Sequence, residues 1–192
     1  MKKKIGLFFG SFNPVHIGHL IIATYMANYT DLDEVWLVVS PQNPLKKSKS
    51  LANMYDRLEM VHQAIGNSEK LIASDIEFQL PRPSYTIDTL VYLEEKYPTY
   101  DFALIMGEDN LRSFHKWKNH EILLRDHAIY VYPRLGYKGS KFTGHPSVHM
   151  TETPQIEISS TFIRQALKEG KSIQYLVPDK AIEFIESKGL YL

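Results

Sequence analysis

The sequence contains no cysteine. That excludes disulfides, a thiolate zinc site and a cysteine nucleophile, and it suits a reducing compartment. It also lacks an excess of charge of either sign, with 22 Lys and Arg residues against 22 Asp and Glu. A protein that grips nucleic acid through many phosphates carries a basic surplus, so no nucleic-acid partner is expected. A local positive patch for a small phosphorylated ligand stays open. No apolar run approaches the roughly 18 residues of a membrane span. After the basic start at Met1 to Lys4, the apolar stretch Ile5–Phe9 is interrupted at once by Gly10-Ser-Phe-Asn-Pro14, too soon for a secretory leader. These absences lead to the expectation of a cytoplasmic protein with no membrane partner.

What is present is an ordinary globular composition, 44% hydrophobic and 23% charged over 192 residues. That length supports one well-buried core, so a single domain over residues 1–192 is expected. Twelve Tyr and nine Phe permit a homo-oligomeric interface without locating one.

Strand-like and helix-like segments alternate. Ile5–Phe9, Glu34–Val39, Leu71–Ser74, Phe102–Met106 and Ala128–Tyr132 are short apolar runs ended by turn residues or polar breaks, the pattern of buried strands. Helical spacing predicts helices over about Ile17–Asn28, Asp56–Ile65, Ser84–Tyr97 (with Ile87, Leu90 and Val91 inward), Thr161–Glu169 and Asp179–Lys188. Leu135–Pro154 reads as a loop holding a short strand. Alternation at this spacing implies parallel strands joined by crossover helices. The expected fold is α/β, a doubly wound Rossmann-like parallel sheet with helices on both faces. Such sheets bind ligands beyond the carboxyl ends of their strands, which directs attention to the loops after Phe9, Val39, Met106 and Tyr132.

The first of these loops, Gly10-Ser-Phe-Asn-Pro-Val-His-Ile-Gly-His19, carries the chemistry. A strand feeds a Gly-Ser turn, Asn13-Pro14 turns again, and a helix starts near Ile17. The free N–H groups and dipole of that helix favour an anion, phosphate above all. Gly10 permits close approach of backbone to a ligand. His16 and His19, three residues apart, can face one side of the helix start and donate hydrogen bonds to a phosphoryl group in transfer. A zinc helix would place its histidines four apart with a Glu between, and no carboxylate lies close in sequence, so no protein metal site is expected. The glycine spacing fits neither a Walker A loop nor a dinucleotide fingerprint. From the residues alone, an anion site outweighs a structural loop.

This segment resembles the signature of the nucleotidyltransferase superfamily with an HxGH motif, matched by His16-Ile17-Gly18-His19. Ser11 stands where many relatives have a second Gly, and Asn13 where many have Asp. Other segments resemble the bacterial nicotinate mononucleotide adenylyltransferases within it. Pro41-Gln-Asn-Pro-Leu-Lys46 is similar to that family's Pro-x-x-Pro-x-Lys loop. Pro83-Ser-Tyr-Thr-Ile-Asp-Thr-Leu90, which as chemistry is a helix start with Ser84 as N-cap, is similar to its pyridine-binding segment. Gly107-Glu-Asp-Asn-Leu111, Phe114-His-Lys-Trp117 and Ile158-Ser-Ser-Thr-Phe-Ile-Arg164 match further elements. Pro133-Arg134-Leu-Gly136 matches an Arg-Pro-Gly turn only in altered order.

The resemblance covers Lys4 to Leu192 and implies transfer of the adenylyl group of ATP to nicotinate mononucleotide, giving deamido-NAD and pyrophosphate. It implies that His16, His19, Lys46 and Arg164 are catalytic, and that Gly10, Ser11, Phe12, His19, Gly107, Asp109, Ile158, Ser159, Ser160 and Arg164 bind ATP. Ser84, Tyr85, Thr86, Trp117 and Arg134 would hold the pyridine nucleotide, with Mg2+ entering alongside ATP. Backbone N–H groups near Tyr85 and Thr86 are expected to favour a carboxylate over an amide, because a carboxylate only accepts hydrogen bonds. Three alternatives share part of the pattern: a phosphopantetheine adenylyltransferase, a glycerol-3-phosphate cytidylyltransferase, and a non-catalytic nucleotide sensor. The first lacks the Pro-Ser-Tyr-Thr segment, the second has no need of Trp117, and the third has no need of both histidines.

Overall fold

The computed structural model describes residues 2–41 and 51–192. Among these residues six strands form one sheet: β1 (Lys3–Gly10), β2 (Glu34–Val39), β3 (Leu71–Ser74), β4 (Tyr100–Gly107), β5 (Ile129–Tyr132) and β6 (Val148–Met150). Their order is β3-β2-β1-β4-β5-β6, and every neighbouring pair is parallel. Parallel neighbours need crossover connections. These are supplied by α1 (Ile17–Tyr29), α2 (Met54–Ile65), α3 (Thr86–Lys96) and α5 (His120–Asp126). α4 (Glu108–Ser113) follows β4 directly, and α6 (Ser160–Lys168) and α7 (Asp179–Ser187) close the chain.

Alternate residues of each strand point to opposite faces, which divides the core into two layers. Phe8, Leu37 and Ile105 pack with Met26 of α1, Met60 of α2, Ile163 of α6 and Ile185 of α7. Leu7, Val38 and Leu104 pack on the other side with Leu90 and Leu93 of α3 and Leu123 of α5. Burying a side chain of this size contributes about 1.5–3 kcal/mol. The doubly wound sheet with helices on both faces is therefore present as expected.

The ends of the elements follow local chemistry. α2 begins where Asn53 accepts the Tyr55 N–H at 2.9 Å, and stops at Gly66, whose φ of 54° suits glycine. α3 starts two residues later than the sequence suggests, and Ser84 is not its N-cap: Tyr85 holds that position without a side-chain cap. Ser84 is buried and gives its hydroxyl to Glu77 instead. The later start also turns Val91 outward, 48% exposed, while Ile87, Leu90 and Leu93 face the core.

The strand order reverses between β1 and β4, so the chain leaves their carboxyl ends in opposite directions and a crevice opens there. The loop from Gly10 to His16 lies at one side of it and Gly107–Asp109 at the other.

Candidate active site

The first loop is fixed through its backbone carbonyls and the Asn13 side chain. Arg164 Nη1 donates to the carbonyl of Asn13 at 2.7 Å, and Ser160 Oγ donates to that of Pro14 at 2.9 Å. The Asn13 side-chain oxygen accepts the Ala52 N–H at 3.1 Å and the Tyr191 hydroxyl at 2.8 Å. Arg57 Nη1 donates to the carbonyl of Ser11 at 2.6 Å. Residues from α2, α6 and the chain's end thus meet on one turn, and a side chain carried by this loop has little freedom to wander.

Phe12 is a wedge beneath that turn. It is 1% exposed, with a φ of 43°, and its ring fills the space a side chain at Gly10 would need, 2.7 Å from such a Cβ. The close approach that Gly10 permits is therefore made by the Phe12 ring. That ring packs edge-on against His19, centroids 5.0 Å apart, and against Phe8 at 5.9 Å.

The two histidines stack, with centroids 3.6 Å apart and 23° between planes. His19 Nδ1 accepts the backbone N–H of His16 at 3.2 Å. A neutral imidazole with Nδ1 as acceptor carries its proton on Nε2, so His19 keeps that N–H as a donor. His16 is 5% exposed, and its Nδ1 is buried with no hydrogen-bond partner among the described residues. Gly18 explains how that ring fits: a Cβ there would lie 3.1 Å from His16 Nδ1. Burial, then the charge of Arg134, pulls the His16 pKa down to about 4. Burial, then His16 and Arg134, holds His19 well below its ordinary value. Both rings are neutral at pH 7 and present donors and polar edges to an anion.

Asp109 sits at the start of α4, its carboxylate folded back into the space left by Gly107, where a Cβ would meet Oδ1 at 2.4 Å. That oxygen is buried without a hydrogen-bond partner among the described residues, and Arg134 Nε is 3.6 Å from it. Arg134 also lies over the Tyr132 ring, and its backbone N–H donates to Glu108 at 3.2 Å. Its charge acts on both histidines, and no contact joins it to Trp117 among the described residues. Ser159 caps α6 by accepting the Phe162 N–H at 3.2 Å, and Ile158 lies 3.9 Å from the Cβ position of Gly18, against the start of α1. The N-terminus of α6 thus lies against the start of α1, and a helix N-terminus favours an anion.

The segments matched to pyridine binding form a second group. Tyr85 is 38% exposed at the head of α3, and Thr86 opens that helix. Trp117 is half-buried, tilted against Phe114 with centroids 5.3 Å apart, leaving part of the indole uncovered. Lys118 bridges the two: its ammonium lies 4.8 Å from the Tyr85 ring centroid and bonds both Asp88 oxygens at 3.0 and 2.9 Å. Lys46 lies outside the described residues.

Sequence reasoning missed Arg57, Glu77 and Lys118. Arg57 left a signal, since it shares the stripe 57, 60, 61 with Met60 and Val61 on the buried side of α2. A charged residue on that stripe needs a reason. Glu77 lies in a short 3-10 turn, Ile76–Gln79, with no periodicity to mark it.

The cytidylyltransferase-like family model matches residues 7–166. Among curated relatives, a Flavobacterium johnsoniae protein named "Probable nicotinate-nucleotide adenylyltransferase" is 53% identical over 190 residues, which is 98% of either chain. A Cytophaga hutchinsonii protein of the same name is 56% identical over 188 residues, again 98% of each. Among solved structures, Plasmodium falciparum nicotinic acid mononucleotide adenylyltransferase complexed with NaAD matches with a TM-score of 0.82, covering 98% of this chain and 97% of that one. At 23% identity that likeness concerns the fold.

Proposed function

The chain belongs to the nicotinate-nucleotide adenylyltransferase family, and from that premise we propose that it transfers the adenylyl group of ATP to nicotinate mononucleotide in NAD biosynthesis. A 5′-phosphate oxygen of the mononucleotide attacks the α-phosphorus of ATP, forming the new P–O bond. The bond from that phosphorus to the bridging oxygen breaks, and pyrophosphate leaves. No side-chain nucleophile is required, and catalysis consists of alignment and charge stabilisation. The observation that carries this reading is the stacked pair of neutral histidines, with His19 Nε2–H free to donate, at the head of α1.

In this reading His16 and His19 stabilise charge at the α-phosphate, and the backbone of Gly10, Ser11 and Phe12 lines the nucleotide. Gly107, Asp109, Ile158, Ser159, Ser160 and Arg164 complete the ATP subsite, and Lys46 reaches a phosphate by analogy with the family's loop. Arg134, whose charge acts on both histidines, serves the pyridine nucleotide at its phosphate. Ser84, Tyr85 and Thr86 take the pyridine carboxylate, and the uncovered indole of Trp117 stacks on the pyridine. The Arg134 guanidinium carries like charge, and the two neutral imidazoles offer nitrogen where Mg2+ takes oxygen ligands. Mg2+ therefore belongs to the substrate, held by phosphate oxygens and water and screening the leaving pyrophosphate. Residues 1–192 act as one nucleotidyltransferase domain in the cytoplasm. Among the described residues no helix is long and apolar enough to cross a membrane.

The test is pyrophosphate release from MgATP with nicotinate mononucleotide, phosphopantetheine or no acceptor. Release with the first alone is expected. Release with phosphopantetheine alone, or with no acceptor that is tried, would remove the reading.

A further inference from the structure

Two buried charged side chains lie outside the reacting groups. Arg57 is 0% exposed and faces carbonyl oxygens: Nε donates to Ala52 at 3.0 Å, Nη1 to Ser11 at 2.6 Å and Ser40 at 2.8 Å, and Nη2 to Pro41 at 3.0 Å. Burial lowers its pKa to about 10, so it stays charged at neutral pH. Glu77 is 3% exposed and accepts the Thr89 hydroxyl at 3.1 Å together with the hydroxyls of Ser40 and Ser84. No ion pair joins Arg57 to Glu77 among the described residues. For stability alone this is a poor use of two charges, because buried charge is costly to desolvate and apolar replacements are often no less stable.

The two side chains meet at one residue. Ser40 donates its N–H to the Gly10 carbonyl at 2.9 Å, gives its own carbonyl to Arg57, and gives its hydroxyl to Glu77. Through Arg57, Ser40 is tied to Ser11 in the loop that carries the histidines. Through Glu77, it is tied to Ser84 and Thr89, on either side of the Tyr85–Thr86 head of α3. Each half of the site is thus connected to the other across the end of β2.

We propose that Arg57 and Glu77 are positioning residues which, through Ser40, set the separation between the adenylyl-donor subsite and the pyridine subsite. This rests on the two-substrate transfer proposed above. In such a transfer, each substrate binds its own half, but reaction requires the attacking phosphate oxygen to stand in line with the α-phosphorus. A displacement of about 1 Å between the halves can cost on the order of 10²-fold in rate while leaving each half's own contacts intact. A guanidinium suits this role because its planar fork serves several carbonyls at once, which a lysine ammonium cannot match in geometry.

The experiment compares Ser40→Ala, Glu77→Gln and Arg57→Lys with the unsubstituted protein. It measures kcat, the Kd of each substrate alone, and the Kd of the dinucleotide product, which spans both halves. For Ser40→Ala and Glu77→Gln we expect each single-substrate Kd to stay within about threefold, the dinucleotide to bind about tenfold more weakly, and kcat to fall between tenfold and a hundredfold. Ser40→Ala combined with Glu77→Gln should cost no more than the larger single effect, because both remove one link. The inference is overturned if kcat stays within about threefold in both variants, if the single-substrate Kd values worsen in step with kcat, or if the two losses add. If Arg57→Lys does not fold, the other two variants decide alone. Absence of transfer in the unsubstituted protein would remove the functional reading, and this inference with it.

Discussion

The two halves of the candidate site are held by different kinds of contact. The half with the histidines is built on a turn whose carbonyls and Asn13 side chain are bonded from α2, α6 and Tyr191, and its rings are stacked and partly or wholly buried. The half with Tyr85 and Trp117 is open. Its most visible tie is Lys118 to Asp88, an ion pair with both side chains more than 40% exposed. Exposed pairs of this kind contribute about 0–1 kcal/mol. The contrast fits a division of labour. Transition-state stabilisation needs donors that are already in place before charge develops, whereas holding a substrate's ring needs only a surface that the ring covers on arrival. Substitutions of the groups that meet substrate should act on kcat in the first half and on KM in the second.

The largest effect is expected from His19→Ala. Its Nε2–H is the preset donor, fixed by the His16 N–H on Nδ1 and by the Phe12 ring beneath it. Removing one such donor costs on the order of 10²–10³-fold in kcat. A steady-state measurement showing less than about a tenfold loss would mean that the ring does not stabilise the transition state, and the contrast between the halves would collapse.

The burial of the histidines has a second consequence, on stability. In the unfolded chain an imidazole titrates near 6.5, while folded His16 titrates near 4. Between those values the unfolded state binds a proton that the folded state refuses. The contribution is therefore complete above pH 6.5 and is lost as pH falls towards 4. Glu77, raised by burial, works in the opposite sense, since its share is lost as pH rises. Replacing His16 isolates its own share. Between pH 7 and 4.5, the unsubstituted protein should lose about 2 kcal/mol more stability than His16→Asn. Urea denaturation at the two pH values checks this, and equal losses in both proteins would show that His16 protonates freely in the folded state.

The same contrast governs what could be read from the sequence. The phosphate half is contiguous: Gly10 to His19 presents strand, turn, helix start and both donors within one segment, so its chemistry was visible before its geometry. The sheet was equally legible, because each strand from β1 to β5 is a short apolar run, and Glu34–Val39 and Leu71–Ser74 appear at the expected bounds. α4 and α5 were not foreseen, since helices of six and seven residues span fewer than two turns and show no period. Ser84 looked like a helix cap because its competing acceptor, Glu77, is brought to it only by the fold. Arg57 was hidden for a similar reason: its partners are carbonyls, which no sequence displays. The connection between the halves is made of such long-range contacts, and it was the least visible part of the site.

Trp117 offers the smallest effect and the sharpest test of the open half. Its ring rests on Phe114 through one part and leaves another uncovered, so truncation removes a platform without emptying the core beneath. Phe114 is itself 0% exposed and stays packed against Phe142, centroids 5.5 Å apart. Loss of an aromatic stacking surface costs about 1–3 kcal/mol per ring stacked. Trp117→Ala should accordingly raise the KM for nicotinate mononucleotide roughly tenfold, with kcat and the KM for ATP within about threefold of the unsubstituted values. Such a result would mean that the indole binds the ground state and the transition state alike. A fall in kcat of the size seen for His19→Ala, with KM unchanged, would instead make Trp117 part of the alignment machinery, and the division between a preset half and an open half would have to be given up.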